Sequence, residues 1–495
     1  MGRCSHFRQK TRASVTPDPP DCHAPQSLPP CCPMTAPITL PLWLFLLILV
    51  FAAVTFASHF LFPSVRWFLR RRLETAVARL NKRLKTPIQP FKLARRMDTV
   101  RRLVYDPQVA QAISEHARSK GVREDVAAQT AERYAREIVP GFSAFTYFSF
   151  AMRASRILSQ SLYRVRLTNP NNDALEAIPD DDTVIFVMNH RSNMDYVLVT
   201  WLVAERSALA YAVGEWARVW PLRGLVRALG GYFIRRRHNN PLYRKVLARY
   251  VQMATEAGLT QAVFPEGGLS RTGGLGKPKL GLISYILDGF EPGTSRNVTF
   301  VPVALNYDRV MEDRNLIAAQ KGGTGGFRFS LLPIYRYLRR QIWHRITGKF
   351  HRYGYAAVSF GDPLSLSAFL TAKHTDNAEA LGEALMSRIS AVTPVVPVPL
   401  IAHALRDGAR TTDTLKAAVG SRIALAEAKG IGVHLARDDL DYTIEAGLRA
   451  LMERGFVERD GDALTVTERG VSVVDYYAAS VAHLLDTEAL EGAAE

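Results

Sequence analysis

Cysteine is missing from everything after Cys32: the four thiols, Cys4, Cys22, Cys31 and Cys32, all fall in a Pro-, Ser- and His-rich stretch without apolar periodicity. No disulfide framework, thiol nucleophile or cysteine-ligated zinc can therefore belong to the folded part of the chain. Formal charge is missing from Ile38 to Phe62, a run of 25 residues in which only Thr39, Thr55, Ser58 and His59 are polar. That length suits one membrane span better than a cleaved signal core, and no small-x-small site follows it. Acids are scarce just beyond, where 13 Lys or Arg between Arg66 and Arg102 meet only Glu74 and Asp98. There is no internal repeat, which excludes solenoids and propellers.

What is present is a chain of 495 residues with 47% hydrophobic and 22% charged residues and a formal net charge of +17. This is enough apolar material for two to four domains and too little for a multi-span transporter. The excess of cations calls for an anionic partner. Its concentration beside the uncharged run points to anionic lipid headgroups and, by the positive-inside rule, to a cytoplasmic C-terminal bulk.

The expected organisation is a disordered segment over 1–37, an anchor over 38–62, a basic helical region over 63–169, an α/β domain over 170–392, a proline-spaced linker over 393–400 and a further module over 401–495. Residues 1–33 read either as a disordered tail or as an extension preceding a start at Met34; His6 breaks the myristoylation pattern. Phe142–Leu158 carries aromatics followed by cations, and is read as packing under the next domain in preference to lying in a membrane interface. Ile334–Tyr355 offers the same pair of readings, with Tyr335, Trp343 and Phe350 among Arg339, Arg340 and Arg345.

Strands are expected at Thr183–Met188, Gly231–Arg235, Gln261–Phe264, Val298–Leu305 and Tyr355–Phe360, alternating with helical patterns, which argues for a sheet flanked by helices. In the C-terminal module, Ala450–Gly470 reads as a helix and a β-hairpin turning at Asp460, Gly461 and Asp462, followed by a helix to Leu485. That order is winged-helix-like. Its hairpin carries Glu458, Asp460, Asp462 and Glu468 against Arg459 and Arg469, an acidic balance that disfavours binding to a phosphate backbone. A membrane-tethered DNA-binding regulator is accordingly the non-enzyme alternative, and no nucleic-acid partner is expected.

Four segments could carry chemistry. In VIFVMNHRSNMDYVLVTWL a strand ends at His190 and a helix opens at Asp195; a carboxylate that fixes a histidine tautomer makes a general base, whereas Ser192 three residues before Asp195 also reads as a helix capping box. In GGYFIRRRHNNPLYRKV a strand runs into Arg235, Arg236 and Arg237, which form a phosphate site or a solvated basic loop. TQAVFPEGGLSRTGGLGKPKLG brings Glu266, Gly267, Ser270, Arg271, Lys277 and Lys279 around a flexible turn. It is neither a Walker loop nor a nucleophile elbow, because Pro278 follows Lys277 and Ser270 lacks the closing glycine. VTFVPVALNYDRVME contains Pro302, which removes a ladder donor and marks an edge strand or a bulge.

These four segments, in this order, resemble the four blocks of the glycerolipid acyltransferase superfamily, and most closely its bacterial membrane-bound glycerol-3-phosphate 1-O-acyltransferases. HRSNMDY, FIRR with Asn240, Leu242 and Tyr243, EGG-x-SRTG with its downstream Pro-Lys, and the Tyr307–Glu312 ending carry the resemblance, together with YYAASVAHLL near the C-terminus. Leu269 stands where that branch commonly has an arginine. The resemblance implies an acyltransferase-type mixed α/β sheet, with His190 and Asp195 catalytic and Arg235, Arg236, Glu266, Gly267, Ser270, Arg271 and Lys279 binding substrate. It implies acyl transfer from acyl-CoA or acyl carrier protein to glycerol 3-phosphate at a bacterial inner membrane, without cofactor or metal. Acylation of lysophosphatidate or another lysophospholipid is the alternative within the superfamily.

Overall fold

The computed structural model describes residues 41–56, 68, 71, 72, 75, 77–170, 172–204, 207–214, 218, 222–235, 240–322, 339, 352–373 and 377–486. The N-terminal segment 1–37, Arg236, Arg237 and nearly all of Ile334–Tyr355 lie outside these residues. Of the uncharged run, the structure describes helix α1 (Leu42–Phe56), whose apolar side chains are exposed. No helix among the described residues is long and apolar enough to cross a membrane. Residues up to Arg72 and those from Leu73 onward form two separate compact units.

The second unit is built on a mixed sheet of eight strands: β1 (Arg164–Pro170), β2 (Thr183–Met188), β3 (Ala210–Gly214), β4 (Gly231–Ile234), β5 (Gln261–Val263), β6 (Val298–Tyr307), β7 (Tyr355–Phe360) and β8 (Leu364–Ser365). The order is β1-β7-β6-β2-β5-β3-β4, with β8 continuing beside β6. β6, β2, β5, β3 and β4 run parallel, while β7 and β8 pair antiparallel to β6 and β1 pairs parallel to β7. The five expected strands are all present, within a few residues at their ends; β1, β3 and β8 had no distinct sequence signal.

β2 and β6 are buried at every position. Because side chains alternate along a strand, β2 sends Val184, Phe186 and Met188 into one core and Ile185 and Val187 into another. The second core is closed by α2 (Arg96–Val104), α3 (Pro107–Lys120), α4 (Glu124–Ile138), α7 (Pro241–Glu256), α8 (Gly281–Asp288) and α10 (Ala378–Ala391). The first takes α6 (Met194–Val203), α9 (Asp313–Gln320), α11 (Pro397–Arg406), α12 (Thr412–Ala428), α13 (Leu440–Met452) and α14 (Glu468–Leu485). α5 (Met152–Leu162), entered through a π-helical turn at Thr146–Ala151, packs along α6. Helix ends follow local chemistry: Asp106 accepts from the Gln108 N–H ahead of α3, and Asn240 from the Leu242 N–H ahead of α7, each beside a proline in the first turn.

Pro302 is not on an edge strand. β6 lies between β2 and the β7–β8 pair, and Pro302 sits opposite Val187. Its missing donor falls at the break in the antiparallel partner, since β7 ends opposite Val303, β8 starts opposite Phe300, and the Gly361 N–H donates to the Pro302 carbonyl. The strand thus keeps its proline at a local interruption of the ladder.

Thr393–Leu400 does not form an exposed linker. Thr393–Leu400 is buried throughout, and Pro397 and Pro399 stand in the first turn of α11, where no intrahelical N–H is required. Val398, Leu400 and Ile401 belong to the same core as β2 and β6. Beyond α11 the expected hairpin forms between β9 (Val457–Asp460) and β10 (Ala463–Val466), and its turn places Gly461 at φ +58°. α14 follows and packs against α11.

Asp308, just past β6, ties α11 to the sheet by accepting from the Val398 N–H at 2.8 Å and the Tyr355 N–H at 2.7 Å. Burial pushes its carboxyl from the ordinary 3.8 up to about 7, against the pull of those two hydrogen bonds and the charge of Arg164. The folded protein therefore holds this proton more tightly than the unfolded chain does, and the group's stabilising contribution falls as pH rises from about 4 to about 7. Asp308→Asn is expected to flatten that slope in denaturant unfolding compared at about pH 5 and about pH 8; an unchanged slope would assign the pH dependence elsewhere.

Candidate active site

β2 ends on a turn that the following helix organises. Asn189 extends the strand by side chain, donating to the Leu305 carbonyl at 3.0 Å and accepting from the Leu305 N–H at 2.8 Å. His190 follows, then Arg191, Ser192 and Asn193, and α6 brings in Asp195 in its first turn. The Asp195 carboxylate is wholly buried. Its Oδ2 accepts from the Arg191 N–H at 2.7 Å, the Ser192 N–H at 3.0 Å and His190 Nδ1 at 2.9 Å, and its Oδ1 from the Tyr307 hydroxyl at 2.6 Å. The Ser192 hydroxyl in turn accepts from the Met194 N–H at 3.2 Å.

Of the expected capping box only one half forms: Asp195 accepts from the Ser192 N–H, while the Ser192 hydroxyl takes the Met194 N–H in place of that of Asp195. The helix start holds Asp195, and Asp195 holds the imidazole. With Nδ1 donating to a carboxylate, His190 keeps Nε2 as the nitrogen that accepts a proton. The ring lies 4.1 Å, centroid to centroid, from Phe264 and 5.3 Å from Tyr196, which leaves it little rotational freedom.

Two residues of the Tyr307–Glu312 ending join this centre, although neither stands out as a site residue in the sequence. Burial, and then the neighbouring Asp195 charge, push the Tyr307 hydroxyl well above its ordinary range, so it remains a donor. Glu312 accepts from the Ser192 hydroxyl at 2.8 Å and from the Asn193 amide at 2.9 Å, and burial raises its carboxyl against those bonds. It clamps the turn from the side opposite Asp195.

The glycine-rich loop reaches the turn from β5. Glu266 Oε1 accepts from the His190 N–H at 3.1 Å and Oε2 from the Gly276 N–H at 3.1 Å, so both oxygens are engaged with backbone. The Ser270 N–H donates to the His190 carbonyl at 2.9 Å, while its hydroxyl donates to the Gly274 carbonyl at 2.6 Å and accepts from the Gly273 N–H at 3.1 Å. Gly267 has φ +66°, and the Lys279 stem covers it so closely that a Cβ would fall 2.8 Å from Lys279 Cδ. Arg271 and Lys279 are exposed beside this loop. Arg235 stands elsewhere, at the end of β4, in a two-pronged pair with Glu137 at 2.8 and 2.6 Å; Arg218 also reaches Glu137, at 2.8 Å. Burial opposes ionisation of Glu137, but the Arg235 hydrogen bond and the charges of Arg218, Arg235 and Arg223 outweigh it and hold the carboxyl below its usual range.

α14 forms the far wall. The Arg191 guanidinium lies over the Tyr476 ring at 5.4 Å, and its Nε and Nη2 are buried without a hydrogen-bond partner among the described residues. Gly273 at φ +88° lies so close to the Tyr476 carbonyl that a Cβ would come within 1.8 Å of that oxygen. Tyr477 donates to Asp313 Oδ2 at 2.8 Å and accepts from the Val310 N–H at 3.0 Å. At the other end of α14, the cluster of His403, Asp407 and Asp486 is already neutralised by Arg406 and Arg422, which bind the two carboxylates.

Comparison with known proteins agrees with the resemblance read from the four blocks. Residues 170–306 match the acyltransferase family model, and residues 344–493 match the model of the glycerol-3-phosphate acyltransferase C-terminal region. The chain is 28% identical to a glycerol-3-phosphate acyltransferase of Pseudoalteromonas atlantica over 76% of its own length and 48% of that protein's. It is also 28% identical to one of Aeromonas hydrophila, over 81% of its own length and 51% of that protein's. The chain thus spans about half the length of the curated relatives it matches. Among solved structures, the 1-acyl-sn-glycerophosphate (LPA) acyltransferase of Thermotoga maritima aligns at 20% identity and a TM-score of 0.29, covering 50% of this chain and 78% of that one.

Two predictions follow from the geometry. Tyr307→Phe removes one donor from a buried carboxylate, a loss of about 1.5–3 kcal/mol, and is expected to lower turnover by roughly 10- to 100-fold at unchanged substrate KM in steady-state kinetics. Gly273→Ala forces a Cβ into the Tyr476 carbonyl at a positive φ and is expected to cost at least about 1–3 kcal/mol of unfolding free energy. Gly274→Ala, whose Cβ would sit 3.4 Å from the Ala479 carbonyl, is expected to cost less in the same measurement.

Proposed function

We propose that this chain, which carries an acyltransferase domain followed by a glycerol-3-phosphate acyltransferase C-terminal region, transfers a fatty acyl group from a thioester donor to the sn-1 hydroxyl of glycerol 3-phosphate. The observation that carries the reading is the buried His190–Asp195 pair, set by four donors at the end of β2. His190 Nε2 takes the hydroxyl proton as the oxygen attacks the acyl carbonyl. Asp195 keeps Nδ1 protonated and stabilises the imidazolium that forms. The tetrahedral intermediate then expels the thiolate, the C–S bond breaks as the new ester remains, and the thiolate recovers the proton from Nε2. Free coenzyme A or acyl carrier protein and a lysophosphatidate are the products.

The exposed cations Arg271 and Lys279 beside the glycine loop supply the charge that a glycerol phosphate needs, as does Arg236 on the sequence reading. Arg235 contributes by exchanging its Glu137 partner for the phosphate or by holding the β4 end in place. Glu266, Gly267 and Ser270 shape the loop that carries these groups. Residues 401–495 act as part of the acyltransferase, because α14 supplies the wall against Arg191 and Gly273. The uncharged run Ile38–Phe62 anchors the protein as one span in a bacterial inner membrane, with the catalytic unit on the cytoplasmic side, where the following cations meet anionic lipids.

The test is transfer of a labelled acyl group from acyl-CoA and from acyl carrier protein to glycerol 3-phosphate, in membranes holding the wild type or His190→Ala. Monoacyl product is expected from the wild type, with a loss of about 100- to 10,000-fold in the variant. Acylation of lysophosphatidate alone would move the enzyme to that acceptor, and equal activity in both proteins would remove His190 from the reaction.

A further inference from the structure

α5 buries two of its serines and leaves two of its large apolar side chains exposed among cations. Its buried positions are Ser155, Ser159 and Leu162, and the Ser159 hydroxyl is buried without a hydrogen-bond partner among the described residues. The outward side carries Ile157 at 69% exposure and Leu158 at 38%, continued through the π-helical turn by Phe150 at 59% and Phe145 at 70%. At 3.6 residues per turn, Arg153 and Ile157 share one face of α5, while Ser155 and Ser159 point the opposite way. A helix on an aqueous surface has the reverse distribution. Arg153 and Arg156 flank the apolar side chains, both exposed, and α5 contains no acid.

We propose that this face of α5 is a bilayer-docking surface, with Phe145, Phe150, Ile157 and Leu158 entering the acyl boundary and Arg153 and Arg156 meeting anionic headgroup phosphates. Apolar residues between cations on one side of a helix are the pattern of an interfacial helix that lies in the membrane plane. The two cations without a neighbouring acid single out a lipid surface over a neutral protein face. The placement fits a lipid-making enzyme: α5 packs along α6, and α6 begins at Asp195. Docking α5 therefore sets the catalytic turn close to the lipid interface without a flexible connection between them. The sequence reading of Phe142–Leu158 as packing holds for Tyr147, which is fully buried, and for Phe142, Phe148 and Met152, which pack in its cluster, but not for Phe145, Phe150, Ile157 and Leu158, which are exposed. The proposal requires that the chain meets a membrane, and does not depend on which acceptor it acylates.

Full-length protein in which Cys4, Cys22, Cys31 and Cys32 are replaced by Ser, and Ile157→Cys carries an environment-sensitive fluorophore, tests this directly. It is reconstituted in phosphatidylcholine vesicles with or without phosphatidylglycerol, and with or without lipids bearing a nitroxide high on the acyl chain. Tyr105→Cys serves as the reference, since Tyr105 is 81% exposed and its helices α2 and α3 close the opposite core. Blue-shifted emission and strong nitroxide quenching are expected at position 157, with neither at 105. Quenching at 157 no greater than at 105 would place the face in water and overturn the proposal. A blue shift without quenching would also overturn it, because the cover would then be protein, either a second copy or the Ile38–Phe62 run. The double variant Arg153→Glu, Arg156→Glu is expected to lose quenching at 157 in the phosphatidylglycerol vesicles; full retention there would remove the headgroup contacts from the proposal. Acyl transfer is not the readout, so failure of this docking and failure of the proposed reaction are distinguished.

Discussion

One buried carboxylate organises the turn between β2 and α6 on which the neighbouring segments converge. Asp195 has no exposure to water, and an ionised carboxylate in that position is tolerable only when its lone pairs are filled. Two backbone N–H groups of its own turn, one imidazole and one phenol fill them. Each donor comes with a structural demand. The N–H groups require the strand-to-helix turn to close tightly, the imidazole requires β2 to end at Met188, and the Tyr307 hydroxyl requires β6 to lie beside β2 in its observed register. A chain that satisfies Asp195 has therefore also placed His190. The carboxylate that closes the turn also orients the imidazole.

The C-terminal residues are joined to this centre by close contact. The glycine loop brings Ser270 to the His190 carbonyl, then carries Gly273 against the backbone of α14, where no side chain fits. Arg191 is carried inward by the same turn and rests on Tyr476, with Glu266 near enough for their charges to interact. Tyr477 reaches Asp313 and Val310 just past β6. The adjacent tyrosines of α14 thus hold opposite sides of the turn's support. α11, running through the core shared with β2 and β6, makes any separation of the C-terminal helices from the sheet costly in buried apolar surface.

Polarity follows two patterns. The sheet faces follow the ordinary rule, with alternate residues of β2 and β6 entering two apolar cores. α5 departs from it by facing Ser155 and Ser159 inward and Ile157 and Leu158 outward, and the turn before it leaves Phe145 and Phe150 exposed. The inversion lies on the helix beside the one that carries Asp195. Arg153 and Arg156 flank the exposed Ile157 and Leu158, and α5 contains no acid.

The sequence by itself determined five of the eight sheet strands, the His190–Asp195 pair, the glycine loop and the hairpin near Asp460, because each is written in local spacing: β-branched runs, a carboxylate a few residues after a histidine, glycines between cations. The order of four short blocks also carried the resemblance to an acyltransferase family, whose model matches residues 170–306. Tertiary structure alone decided what those residues touch. Tyr307 and Glu312 lie more than a hundred residues from the turn they hold, and nothing in their own neighbourhood indicates an Asp195 or a Ser192 opposite them. Arg235 reads as a free cation until the fold brings Glu137 to it. Pro302 reads as an edge residue because a missing N–H is local information, whereas the break in β7 and β8 that accommodates it is not. Thr393–Leu400 reads as a tether because proline spacing is visible and burial is not. Local propensity acts over a few residues, while hydrogen-bond satisfaction and burial are settled only when distant segments meet.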